Sequence, residues 1–242
     1  MMKKTYLLAV LCICFSLALF GQQAATVPTL NENSVVRDSS GYQYPYAVWS
    51  KLFHSGSYGI RTTGTRSAEP TFLLYRLSDA QIAARMERLP KPRASAAFRT
   101  GSKLANLKAV DINGNKYNLK DLAGKVVVLN FWFINCPPCR QEIPALNEMV
   151  SRYKGNPDVV FLAIGLDEPQ AIREFLKTQP FNYQVVDRGQ YLASQYRVKA
   201  YPTHVVLDKA GVVAFHTEGL AMNTILWIDQ TIQEKLKEDG NL

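Results

Sequence analysis

One stretch constrains the fold of this 242-residue chain more than any other. The apolar run Val126-Val127-Val128-Leu129-Asn130-Phe131-Trp132-Phe133 passes through Ile134 and Asn135 directly into Cys136-Pro137-Pro138-Cys139-Arg140. A nearly continuous apolar run rich in β-branched residues reads as a strand buried on both faces. Proline cannot continue a strand ladder. It suits the first turn of a helix, where its missing N–H would have no partner in any case. Over residues 138–154 the apolar side chains Ile143, Leu146, Met149 and Val150 recur on one helical face. The cysteine pair thus sits where a buried strand hands over to a helix.

That position has chemical consequences. The unpaired amides and the dipole at a helix start favour negative charge, so Cys136 ionises more readily than an ordinary cysteine. A thiolate is the species that attacks a disulfide sulfur, and the spacing puts a second sulfur about one helical turn away. Cys136 is the expected nucleophile and Cys139 the expected resolving thiol of a redox-active dithiol. A c-type haem site would need histidine where Arg140 stands. A structural zinc site needs four ligands, and the three histidines are distant in sequence. A purely structural disulfide across so short a loop would constrain little. The expectation is no metal and no cofactor beyond the Cys136–Cys139 disulfide itself.

The other two cysteines, Cys12 and Cys14, lie in an N-terminal leader. Lys3 and Lys4 precede an apolar run over residues 7–20, and Gly21 offers a small residue for cleavage. Residues 1–21 read as an export signal; the alternative, an N-terminal membrane anchor, needs about 20 apolar residues, and the run is shorter. A lipoprotein signal is excluded because Leu11 and Ile13 precede the cysteines where small residues would be expected. Export to a periplasm or another extracytoplasmic envelope compartment leaves the dithiol as the only cysteines, in surroundings where it would be used. The chain is basic, with formal charge +8. Its Lys and Arg are scattered, so nucleic acid is not an expected partner.

Residues 22–100 have a different texture. After a polar lead, short aromatic and β-branched stretches at 44–53, 58–63 and 71–76 alternate with the turn signals Asp38-Ser39-Ser40-Gly41, Ser55-Gly56-Ser57 and Thr63-Gly64-Thr65. They predict a small β-rich extension. Ser78-Asp79-Ala80-Gln81 is a capping-box signature for a helix ending near Leu89, and Pro90-Lys91-Pro92-Arg93 reads as a linker. Over residues 101–242 strands and helices alternate. Strands are expected flanking Asn113-Gly114, at 126–133, 159–164 and 183–186, and as a hairpin over 203–207 and 212–215; helices are expected at 138–154, 168–178, 190–196 and 223–237. The fold class is α/β, a central mixed sheet flanked by helices and preceded by the extension.

Residues 103–237 resemble the exported thioredoxin-fold proteins of the TlpA/ResA type, in the AhpC/TSA-thioredoxin superfamily. The resemblance rests on 126–132, on Cys136-Pro137-Pro138-Cys139, on Glu142-Ile143-Pro144 and on Tyr201-Pro202-Thr203. It implies a thioredoxin-like sandwich. It also implies that Pro144 kinks the active-site helix and that Pro202 is cis and faces the dithiol, with Tyr201 and Thr203 beside it presenting backbone to an extended substrate segment. Trp132, Asn135, Pro137 and Pro138 would border the substrate groove. Thioredoxins carry a buried aspartate where this chain has Asn130, which cannot titrate. The matching group here is Glu142, three residues beyond Cys139 and so on the same side of the helix, where it would exchange protons with a thiol.

By that resemblance the protein is an envelope thiol:disulfide oxidoreductase acting as a reductase. Its partners would be disulfide-containing envelope proteins, apocytochrome c among them, and a membrane thiol-disulfide electron donor. Two other classes compete. Peroxiredoxin-like peroxidases carry threonine three residues before the reactive cysteine, where this chain has Phe133. A partner-binding module would use residues 22–100 for recognition, with the redox domain as an accessory. The oligomeric state is not legible.

Overall fold

The run that opens into the cysteine pair is the middle strand of the molecule's principal sheet. The computed structural model describes residues 29–63 and 70–238. The leader and the Gly64-Thr65 part of one turn signal lie outside them. The described residues form eleven strands and six helices: β1 (Val36–Arg37), β2 (Gln43–Tyr44), α1 (Tyr46–His54), β3 (Tyr58–Thr63), β4 (Thr71–Arg76), α2 (Asp79–Arg88), β5 (Lys108–Val110), β6 (Lys116–Asn118), β7 (Val126–Trp132), α3 (Pro137–Arg152), β8 (Val159–Gly165), α4 (Pro169–Thr178), β9 (Gln184–Val186), α5 (Gln190–Gln195), β10 (Thr203–Leu207), β11 (Val213–Glu218) and α6 (Thr224–Lys237). None of these helices is long and apolar enough to cross a membrane.

The principal sheet has the order β11-β10-β7-β8-β9. β7, β8 and β9 run parallel, while β10 lies antiparallel to both β7 and β11. Every residue of β7 is buried, because the sheet is covered on both faces. Val126, Val128 and Trp132 join Leu146, Ile172 and Ile228 of α3, α4 and α6 in one core. Val127, Leu129 and Phe131 join Leu192 of α5 and Leu104, Leu107 and Ala109 in the other. By this alternation the even-numbered positions of β7 face α3. The fold is the α/β thioredoxin-like sandwich.

The extension contains a four-stranded sheet, β2-β1-β4-β3, with a small core of Val36, Trp49, Phe72 and Leu74. One expectation is corrected here. Residues 44–53 form not a strand but mainly α1, entered at Pro45, with Trp49 buried against the sheet. Tyr, Val, Trp and Phe favour strands. Here, however, Trp49 with Leu52 at i+3 must meet the core, and tertiary packing overrides propensity. The capping box at Ser78 and Gln81 is present in both directions, at 3.3 and 2.9 Å. Beyond α2 the chain straps itself along the outer edge of the principal sheet. The backbone carbonyl of Arg93 accepts from the amide of Glu218 and the hydroxyl of Thr217. Gly101, Ser102 and Leu104 then continue pairing with 211–213. The edge strand β11 is thereby covered, which protects it from pairing with other chains.

Candidate active site: a closed dithiol and a buried Glu142–Asn130–His204 cluster

β7 delivers the chain into a tight loop. The amide of Cys136 donates to the Phe133 carbonyl at 3.2 Å, and the amide of Ile134 donates to Asp167 Oδ2 at 2.7 Å. Cys136 is the N-cap of α3, and Pro137 and Pro138 occupy the first turn. Cys136 and Cys139 are joined as a disulfide. The Cys139 amide points at Cys136 Sγ from 3.3 Å, so one of the free donors of the helix start is aimed at the first sulfur. A thiolate at that position would inherit the contact. Cys139 is more deeply buried than Cys136, at 1% against 3% exposure, and Asn135 and Pro137 on either side of Cys136 are exposed.

β10 brings the second loop. Its Thr203 pairs with Phe131, which sets residues 200–202 beside the end of β7. The Tyr201–Pro202 peptide is cis. The Pro202 carbonyl accepts from the Gly219 amide, and Thr203 Oγ1 donates to the Ala200 carbonyl, each at 2.8 Å. The Tyr201 ring meets the Phe133 ring edge-on at 5.4 Å, so the two loops are in direct contact. Burial holds the Tyr201 phenol above its ordinary range.

Trp132 is placed differently from the groove position implied by the resemblance. Its ring is 1% exposed and packs against Phe175 and Phe181. It is a core side chain with no surface to offer a substrate. Pro144 lies within α3.

Glu142 is buried on the same face of α3 as Cys139. Its Oε1 receives Asn130 Nδ2 at 3.1 Å and lies 2.9 Å from His204 Nε2. Its Oε2 has no hydrogen-bond partner. His204, which the sequence placed only in a strand of the closing hairpin, and Asp167 are the two residues at the site that sequence reasoning did not single out. The signal for His204 lies in register: it is the cross-strand partner of Asn130, 74 residues away. Among the described residues no group of His, Cys, Asp and Glu is placed to hold a metal ion.

This arrangement can cycle between dithiol and disulfide, with a buried carboxyl three residues beyond the second cysteine in the same helix. Residues 100–216 match the family model described as the AhpC/TSA family. The chain is 37% identical over 115 residues to the thiol-disulfide oxidoreductase ResA of Bacillus cereus, covering 47% of this chain and 66% of that one. Against ResA of Bacillus thuringiensis it is 34% identical over 140 residues, covering 57% and 72%. It thus spans about two thirds of the length of these relatives. A solved structure assigned to a thiol:disulfide interchange protein, DsbE, of Chlorobium tepidum superposes with a TM-score of 0.52 at 28% identity, covering 57% of this chain and 99% of that one.

Proposed function

We propose, from the premise that this chain belongs to the AhpC/TSA family and within it to the ResA-like thiol-disulfide oxidoreductases, that it reduces the disulfides of exported proteins through Cys136 and Cys139. The observation that carries the reading is the dithiol closed at the start of α3, with a helix-start amide aimed at the Cys136 sulfur and a buried carboxyl, Glu142, three residues beyond Cys139 in the helix. In the reduced protein the Cys136 thiolate attacks one sulfur of a substrate disulfide. A mixed disulfide forms, and the other substrate sulfur leaves as a thiolate that takes a proton from water. Cys139 then gives up its proton and attacks Cys136 Sγ. The enzyme disulfide forms and the second substrate sulfur leaves. Two electrons pass to the substrate, and the enzyme ends in the oxidised state described above.

Asn135, Pro137, Pro138 and the Tyr201-Pro202 peptide are the proposed substrate-binding residues, with Glu142 as the acid–base group; Thr203, fully buried between Phe131 and Glu218, supports that loop from within. Return to the dithiol requires an external thiol reductant, which we place in the membrane. The compartment is extracytoplasmic, on the strength of the leader, and apocytochrome c is one candidate substrate class. The reduction potential of the dithiol, read by redox equilibration with glutathione or dithiothreitol, tests the direction of flow. A reductase is expected at or below about −220 mV, whereas a value near about −120 mV belongs to an oxidant and would overturn the reductase reading.

A further inference from the structure

Glu142 does not stand alone. β7 and β10 set Asn130 and His204 side by side, and α3 lays Glu142 on the pair. The three side chains are essentially inaccessible, at 1%, 0% and 5% exposure. Asn130 Nδ2 lies 3.1 Å from Glu142 Oε1 and 3.2 Å from His204 Nδ1. The same amide nitrogen is 3.5 Å from His204 Nε2, so it rests against the ring near both nitrogens, while Nε2 also reaches the Glu142 carboxyl at 2.9 Å.

A carboxyl and an imidazole in contact offer an arriving proton two adjacent acceptors inside one buried cluster. Asn130 Nδ2 bridges the carboxyl and the ring, and Asn130 Oδ1 has no partner. Glu142 also lines a cleft of about 860 Å3, whose walls include Pro144 of α3, Leu89 and Lys91 of the strap, and Met222. The unpartnered Glu142 Oε2 gives this proton a carboxyl oxygen to arrive at, and the cleft gives it an exit to solvent.

We propose that His204, oriented by Asn130, is a positioning residue that shares with Glu142 the proton leaving Cys139 when the mixed disulfide is resolved. The proposal rests on the reading that Cys139 is the resolving thiol. The Cys139 S–H proton goes to the pair, the sulfur's electron pair forms the bond to Cys136 Sγ, and the departing substrate sulfur keeps the electrons of the broken S–S bond. The pair then loses its proton through the cleft. Other titratable groups face the cluster. Tyr183, near β9, is held well above its ordinary range by burial and then by the Glu142 charge, and so stays protonated. His54, Lys91, Arg93 and Glu148 line the cleft.

The test is a stopped-flow reaction of the reduced protein with dithiobis-nitrobenzoate across a pH series. A coloured thiolate is released once on attack by Cys136 and again on attack by Cys139. His204→Gln is expected to lower the ratio of the second rate to the first about 10-fold or more near neutral pH, and to make that ratio climb more steeply with pH. Adding His204→Gln to Glu142→Gln is expected to cost nothing further. A wild-type profile in His204→Gln, or an equal loss with and without Glu142, overturns the proposal. Asn130→Leu gives the same two outcomes if circular dichroism shows that His204→Gln fails to fold. A second release that persists in Cys139→Ser would instead sink the underlying assignment of Cys139.

Discussion

Asp167 shows how a residue outside the motif shapes it. Its carboxylate accepts the Ile134 amide at 2.7 Å across 33 residues of sequence, and its carbonyl accepts the Arg188 amide at 3.1 Å. The side chain therefore ties the loop before Cys136 to the end of β8. A half-buried amide that loses a charged acceptor costs about 1–3 kcal/mol. Asp167→Ala is expected to lower the unfolding free energy by that amount, and Asp167→Asn, which keeps an acceptor oxygen, to restore most of it. Urea unfolding of the three proteins reads the difference directly, and equal stabilities would remove Asp167 from the account. Neither this contact nor His204 could be read from local sequence. Both depend on which strands become neighbours, and periodicity does not encode that. Cys136, Cys139 and Glu142 were legible because their relation is local, one helical turn apart.

At the scale of elements the same division holds. The buried strand β7 and helix α3 were plain in the apolar pattern, whereas α1 was hidden behind strand-favouring side chains. β1 and β2, of two residues each, are too short to show alternation, although the Asp38-to-Gly41 turn between them was visible. The β5–β6 hairpin was announced by Asn113-Gly114, and the structure adds what holds it. The Asp111 carboxylate accepts from the amides of Asn113 and Asn115, the Asn115 side chain and the Tyr117 hydroxyl, at 2.8–3.1 Å. Burial alone would push this carboxyl up. The hydrogen bonds outweigh it and hold the carboxyl below its ordinary value. A carboxyl lowered by folding stabilises the protein above its unfolded value of about 3.9, and that contribution is lost as pH falls through the folded value. Asp111→Ala is therefore expected to cost about 1–3 kcal/mol at neutral pH and much less near pH ~2. Urea midpoints at the two pH values check this; an equal cost at both would contradict it.

In the whole molecule, the extension is fastened to the redox domain rather than strung beside it. Buried Asn223 donates to the carbonyls of Pro90 and Met86, Lys91 lies over the rings of Trp227 and Phe215, and Arg93 pairs with Glu218. The strap covers the β11 edge while leaving the cleft that reaches Glu142. The outer surface is thereby joined to a cleft that Glu142 also lines. All of this presupposes that disulfide exchange begins at Cys136. The most direct measurement uses full-length reduced Cys139→Ser and Cys136→Ser proteins mixed with an unfolded disulfide-bearing protein, followed by non-reducing electrophoresis and peptide mapping. Cys139→Ser should accumulate a covalent adduct at Cys136 that dithiothreitol releases, and Cys136→Ser should form little or none. An adduct formed equally well through Cys139, or none from either variant while alkylation shows both thiols reachable, would contradict the account.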